Sequence, residues 1–169
     1  FNRDTLDALR VHGMPIDCSY NATMFGLDSG VAAGAPLLDV TSFDGVLEIP
    51  MTVFDVAGRK PRHVQLGACS SAEIEGLLWS ALEAGRSSFV ILSHGSELLN
   101  RAKDRKDDVA VARLRRLCRF LDRNRASFRL RGCGRPHPLP SARVPAPLAS
   151  SWWKAGLRSA EQLYRLRYR

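Results

Sequence analysis

Long apolar runs are missing from this 169-residue chain. None approaches the roughly 18–20 residues that cross a bilayer as a helix, so no transmembrane helix is expected. Clustered metal ligands are missing too. The four cysteines, Cys18, Cys69, Cys118 and Cys133, are spaced by 51, 49 and 15 residues. Zinc sites use pairs two to four apart, so this spacing excludes the common zinc patterns. The histidines are His12, His63, His94 and His137, with no His-x-x-x-His among them. The sole adjacent aspartate pair is Asp107-Asp108, at a helix start. The first 15 residues carry scattered charge and no apolar core or cleavage site, so no signal peptide is visible. No repeat recurs at 20–50 residues.

What is present is ordinary in bulk and uneven in detail. Apolar residues make up 45% and charged residues 25%, near globular averages. The length suits one domain. The net charge of +8 conceals a split. Residues 1–100 hold 6 Lys+Arg against 12 Asp+Glu, a net of −6, and residues 101–169 hold 19 against 5, a net of +14. Arginine dominates the basic part. Solvated surface, attraction to acidic glycans or an anionic membrane, and nucleic-acid binding all fit that excess. No finger spacing, RNP-like strand or helix-turn-helix supports a nucleic-acid partner. Cys18, Cys69 and Cys118 stand among apolar or small residues and read as reduced, sheltered thiols. That favours a reducing compartment and a cytoplasmic location.

Several elements can be read along the chain. Leu6 and Leu9 share a helical face that ends at Gly13, and Pro15 to Tyr20 follows as a short strand. Residues 22–46 read as a long loop. Leu47 to Val56 reads as one strand marked by Pro50, and His63 to Leu66 as another. Ser70 and Glu73 form a capping-box pattern for a helix that Gly85 closes. Ser88 to Ser93 is a continuous apolar run, suited to a strand buried on both faces. Asp107 or Asp108 caps a second helix with Leu114, Leu117, Cys118 and Leu121 as its inner stripe. Phe128 to Arg131 reads as a further short strand. This alternation predicts a parallel α/β sheet or barrel. Five prolines mark 133–151 as a linker, and 152–169 reads as a basic helical tail.

His94 is the leading candidate for chemistry. It follows the apolar run at a strand's carboxyl end, where parallel α/β folds bind ligands. A histidine there can exchange protons near neutral pH, or simply hydrogen-bond a loop. Asp17 is a candidate at the site mouth, with backbone capping as the alternative. Asp55, after an apolar strand, is a candidate rim residue. Glu97, three residues after His94, can orient it or open a solvated helix. Trp79 reads as packing. Trp152-Trp153 reads as docking onto the domain or as a membrane or partner surface.

The run Val90-Ile91-Leu92-Ser93-His94-Gly95 resembles the last catalytic motif of the polysaccharide deacetylases, the NodB-homology family, an apolar strand ending in Leu-x-His. The helix through Gly13 followed by Ile16-Asp17-Cys18-Ser19-Tyr20-Asn21 is similar to that family's helix and Tyr-Asp-Ser-Ser-like strand. The resemblance covers residues 1–132 and implies the C-terminal portion of a distorted (β/α) barrel. It implies metal-dependent hydrolysis of an N- or O-acetyl group on a carbohydrate, with a divalent metal, usually zinc. It gives His94 the role of acid toward the leaving amine or alcohol. The family's Asp-Asp and His-x-x-x-His motifs would precede Phe1, so a missing N-terminal half and an inactive fragment are expected. The family's partner aspartate for the histidine is also absent from the strand His63-Val64-Gln65-Leu66. A non-catalytic interaction module with an arginine-rich surface is the competing expectation.

Overall fold

The computed structural model describes residues 1–24, 31, 36–56, 60–100, 102, 104–132, 140 and 145–167. It is a mixed α/β fold. Helix α1 (Arg3–Val11) is capped by Asn2, whose side chain accepts from the Thr5 N–H at 2.9 Å. Gly13 takes φ +65° just past it, the left-handed conformation that stops a helix. Strand β1 (Ile16–Asp17) then pairs in parallel with β3 (Val46–Glu48), Asp17 standing opposite Glu48.

Part of the expected 22–46 loop is ordered structure. Ala22–Met24 is a 3-10 turn and Thr41–Phe43 is strand β2, antiparallel to β3. The hairpin turn between them is Asp44-Gly45, with φ +48° and +92°. Positive φ at both central residues is what a two-residue hairpin with matching twist requires, and Asp-Gly supplies it. Residues 25–30 and 32–35 of that loop lie outside the described residues.

The expected strand 47–56 is two strands. The chain leaves β3 at Glu48, passes buried Ile49-Pro50, and begins β4 (Val53–Val56) in a second sheet. Proline has no N–H to give a ladder, so the break falls there. The second sheet runs β5 (Arg62–His63), β4, β6 (Leu148–Ser150). β4 is antiparallel to β5 and parallel to β6. β6 falls within the stretch expected as proline linker, and Leu148 is buried in the core. Residues 133–139 and 141–144 of that stretch, and 57–59 in the turn after β4, are outside the described residues.

Helix α2 (Ser71–Glu83) forms as its capping box demands, with Ser70 and Glu73 satisfying each other's backbone N–H. Its Ile74, Leu77, Leu78 and Ala81 pack against Phe54, Val64, Leu66 and Leu148 to make the main core. The apolar run 88–93 does not become a full buried strand. It joins the fold through one parallel bridge, Gln65 to Leu92, with Leu66 N–H on Leu92 O at 3.0 Å and Leu92 N–H on Val64 O at 2.9 Å. Helix α3 (Asp108–Arg123) is capped by Asp107 at the Ala110 N–H, 3.0 Å. Its inner stripe takes Phe120 where Cys118 was expected; Cys118 is exposed. Cys18 is exposed as well, and Cys69 alone of the described cysteines is buried, which pushes its thiol pKa up. Residues 128–131 are irregular rather than a strand, with Phe128 packed on Trp79 at 4.9 Å between ring centres. Trp79 thus serves packing.

Helix α4 (Trp152–Arg167) docks on α2 by charge. Arg158 meets Glu73 at 2.6 Å, and Glu161 meets Arg113 of α3 at 2.5 Å. Arg113 and Arg158 are both buried, so part of the arginine excess is internal. Among the described residues the strands make two three-stranded sheets and no closed barrel.

Candidate functional site

Residues 62–67 alternate sides, so His63 and Gln65 share one face. Leu92 lies in parallel beside Gln65, and the chain leaves the sheet two residues later at His94. A 3-10 turn, Gly95–Leu98, then folds Glu97 back under the histidine. The result is a continuous polar chain. His63 Nε2 lies 3.1 Å from Gln65 Oε1, and the Gln65 amide donates to Glu97 Oε1. The Gly67 N–H donates to Glu97 Oε2 at 2.8 Å, and His94 Nδ1 lies 3.1 Å from Glu97 Oε1.

The geometry fixes protonation. A carboxylate only accepts, so His94 carries its neutral-state proton on Nδ1 and leaves Nε2 as the exchanging atom. The His94 side chain is 61% exposed and that of Glu97 is 14% exposed. Burial alone would raise the Glu97 pKa, but donors from Gln65, His94 and Gly67 outweigh it and hold the carboxyl below its usual range. Glu97 therefore stays ionised and serves as the acceptor beside the imidazole Nδ1. The carboxylate beside His94 thus comes from within the turn that follows the histidine and not from the neighbouring strand.

Gly67 permits this contact. A Cβ there would stand 2.5 Å from Glu97 Oε2. Behind Gly67, the Arg113 guanidinium donates to Gly67 O at 2.9 Å and is itself held by Glu161. A chain of contacts thus runs from α4 to His94 through the backbone of one residue, Gly67.

The other two sequence candidates stand apart from this cluster. Asp17 accepts from the Cys18 N–H at 2.9 Å and the Ser19 hydroxyl at 2.8 Å, which is the backbone-capping role. It belongs to the first sheet. Asp55 sits near the carboxyl end of β4, which is antiparallel to β5, so it points along the sheet away from the end that carries His94. No hydrogen bond or ion pair joins His94 to either among the described residues.

Sequence reasoning missed three residues. Gln65 was legible only as the absence of an aspartate, although its spacing from His63 places both on one face. Glu48 is fully buried beside Asp17 with Oε1 accepting from the Tyr20 N–H at 3.1 Å, while Oε2 receives no hydrogen bond. Burial, then hydrogen bonding to Asp17 and its charge, push the Glu48 pKa up to about 8. Glu48 is therefore a neutral acid below that pH and can donate to Asp17. Asp39, buried, accepts from the Val40, Ser87 and Ser88 N–H groups at 2.9, 2.8 and 3.1 Å and ties the first sheet to the end of α2.

The residues around His94 do not fit a divalent metal. Both Glu97 oxygens are already engaged by N–H donors, and no group of three His, Cys, Asp or Glu gathers among the described residues. A zinc site of any kind needs at least three protein ligands. No family model, curated protein or solved structure matches the chain.

Proposed function

We propose that this chain carries the acid–base histidine of a polysaccharide-deacetylase-like hydrolase acting on an acetylated carbohydrate, within a partial (β/α) barrel of that type. One observation carries the reading. His94 ends a Leu-x-His run whose Leu92 bridges in parallel to Gln65, and Glu97 holds its Nδ1 while the side chain stays 61% exposed. In the reaction, Nε2–H delivers its proton to the leaving nitrogen or oxygen as the bond to the acetyl carbon breaks. Glu97 orients the ring for that transfer through its contact at Nδ1. Activation of the attacking water belongs to metal chemistry that these residues do not supply. In this reading the metal-binding half is carried by residues other than these 169, and the chain alone is inactive.

Acetate release from acetylated oligosaccharides tests this. The 169-residue chain should release none. A longer natural chain carrying both halves should be active and should lose at least about a hundredfold in turnover on His94→Ala, the usual weight of a general acid. Equal turnover of the two would refute the role of His94.

The competing reading, a non-catalytic module, draws on α3. An open groove of about 440 Å³ is lined by Arg116, Arg119 and Arg123 with Glu75 and Phe120. Glu75 neutralises Arg116, at 2.6 Å. Retention on an anionic column beyond physiological salt, lost on Arg119→Ser with Arg123→Ser, would favour this reading; elution at low salt would dismiss it.

A further inference from the structure

Helix α4 is mounted inside out. Its inner face consists of Ala155, Arg158, Glu161 and Gln162, and these make the docking contacts: Arg158 with Glu73, Glu161 with Arg113, and the Gln162 amide with Ala68 O at 3.4 Å. Two ion pairs one turn apart, one fully buried and one with Glu161 partly exposed, fix the helix's rotation about its axis. Every other side is committed by that choice. Trp153, Leu157, Ala160 and Tyr164 recur at i, i+4, i+7 and i+11, with Trp152 and Leu163 alongside. The large members of this stripe are 47–77% exposed. A contiguous apolar stripe turned outward marks an interaction surface.

The composition selects the partner. Three of the five large residues are Trp or Tyr, whose rings carry an apolar body and a polar tip suited to the lipid headgroup level. Lys154 packs its ammonium against Gly76 of α2, but the sequence continues with Arg165, Arg167 and Arg169, and the single acid of the segment 152–169, Glu161, is spent on Arg113, which leaves the end of the segment with charge of one sign. An anionic bilayer surface attracts it. No helix among the described residues is long and apolar enough to cross a membrane, so α4 would lie in the interface plane.

We propose that the outward face of α4, centred on Trp153, Leu157 and Tyr164, binds the surface of an anionic lipid bilayer. The proposal is independent of the role of His94.

Co-sedimentation of the whole 169-residue chain with vesicles tests it. Phosphatidylcholine vesicles containing phosphatidylserine should retain the protein, and phosphatidylcholine alone should retain at least about tenfold less. Trp153→Ser with Leu157→Ser should weaken binding by about tenfold or more while leaving the helical circular dichroism in place, because Arg158 and Glu161 still dock the helix. Failure to sediment with anionic vesicles would overturn the proposal, as would equal binding to neutral ones. So would sedimentation velocity showing a dimer that the same double substitution dissolves, since a second copy would then own the face.

Discussion

Glu73 and Arg158 meet at 2.6 Å with side chains 0% and 4% exposed, and Glu73 is the same residue that completes the capping box of α2. Its Oε2 accepts from the Ser70 N–H at 3.0 Å while Oε1 accepts from Arg158. One carboxylate therefore starts one helix and docks another.

Breaking that pair should be costly. Replacing one member leaves the other buried without its counterion, a loss of about 3–5 kcal/mol. Arg158→Met should lower the urea midpoint strongly, while Arg158→Met combined with Glu73→Gln should recover part of the loss. A double-mutant cycle in urea gives the coupling, and a value near zero would mean that the pair does not hold α4 down.

Stability should fall as pH rises toward 8. Glu48 keeps its proton in the folded protein up to about pH 8, whereas an unfolded glutamate loses it near 4.5. Between those values the native state binds more protons than the unfolded one, so stability drops by about 1.4 kcal/mol per pH unit from this residue. The contribution is complete below pH 4.5 and gone above 8. Urea unfolding from pH 5 to 9 should show the slope, and Glu48→Gln, which keeps a donor for Asp17, should flatten it. An identical slope in the variant would locate the proton elsewhere.

His94 should report on Gly67. The Cβ of Gly67→Ala would collide with Glu97 Oε2, so Glu97 must withdraw. Nitrogen-15 NMR of the His94 ring at high pH should show the Nδ1–H form in the wild type. Both Gly67→Ala and Glu97→Ala should move it toward the Nε2–H form. Unchanged ring shifts would show that Glu97 does not orient the histidine.

Asp39→Ala should destabilise the fold without touching His94. It strips acceptors from the Val40, Ser87 and Ser88 N–H groups. Each buried donor left unsatisfied costs about 1–3 kcal/mol, and water entering the gap keeps the total near the low end of the sum. Thermal unfolding measures the loss, with the His94 NMR signature as the control that should not move.

Local signals were the legible ones. The Ser70–Glu73 capping box, the Gly13 and Gly85 stops and the Asp107 cap act within one turn, and the structure realises each of them. The Asp44-Gly45 hairpin was equally local and was overlooked inside a segment read as loop. The break at Pro50 was visible as a mark on one strand but not as a change of sheet, because sheet partners are set by distant residues. The apolar run before His94 gave no warning that Leu92 alone would pair. Internal arginines were illegible for the same reason. Nothing near Arg113 or Arg158 in sequence announces partners 48 and 85 residues away.

That last separation has a consequence for how the chain is made. Helix α2 leaves the ribosome with its acid 85 residues ahead of the cation that will neutralise it. Until Arg158 emerges, Glu73 must stay in water, and the core beneath it cannot close. The docking of α4 on α2, and with it the Glu161 contact that holds Arg113 behind Gly67, then waits on residues made well after α2.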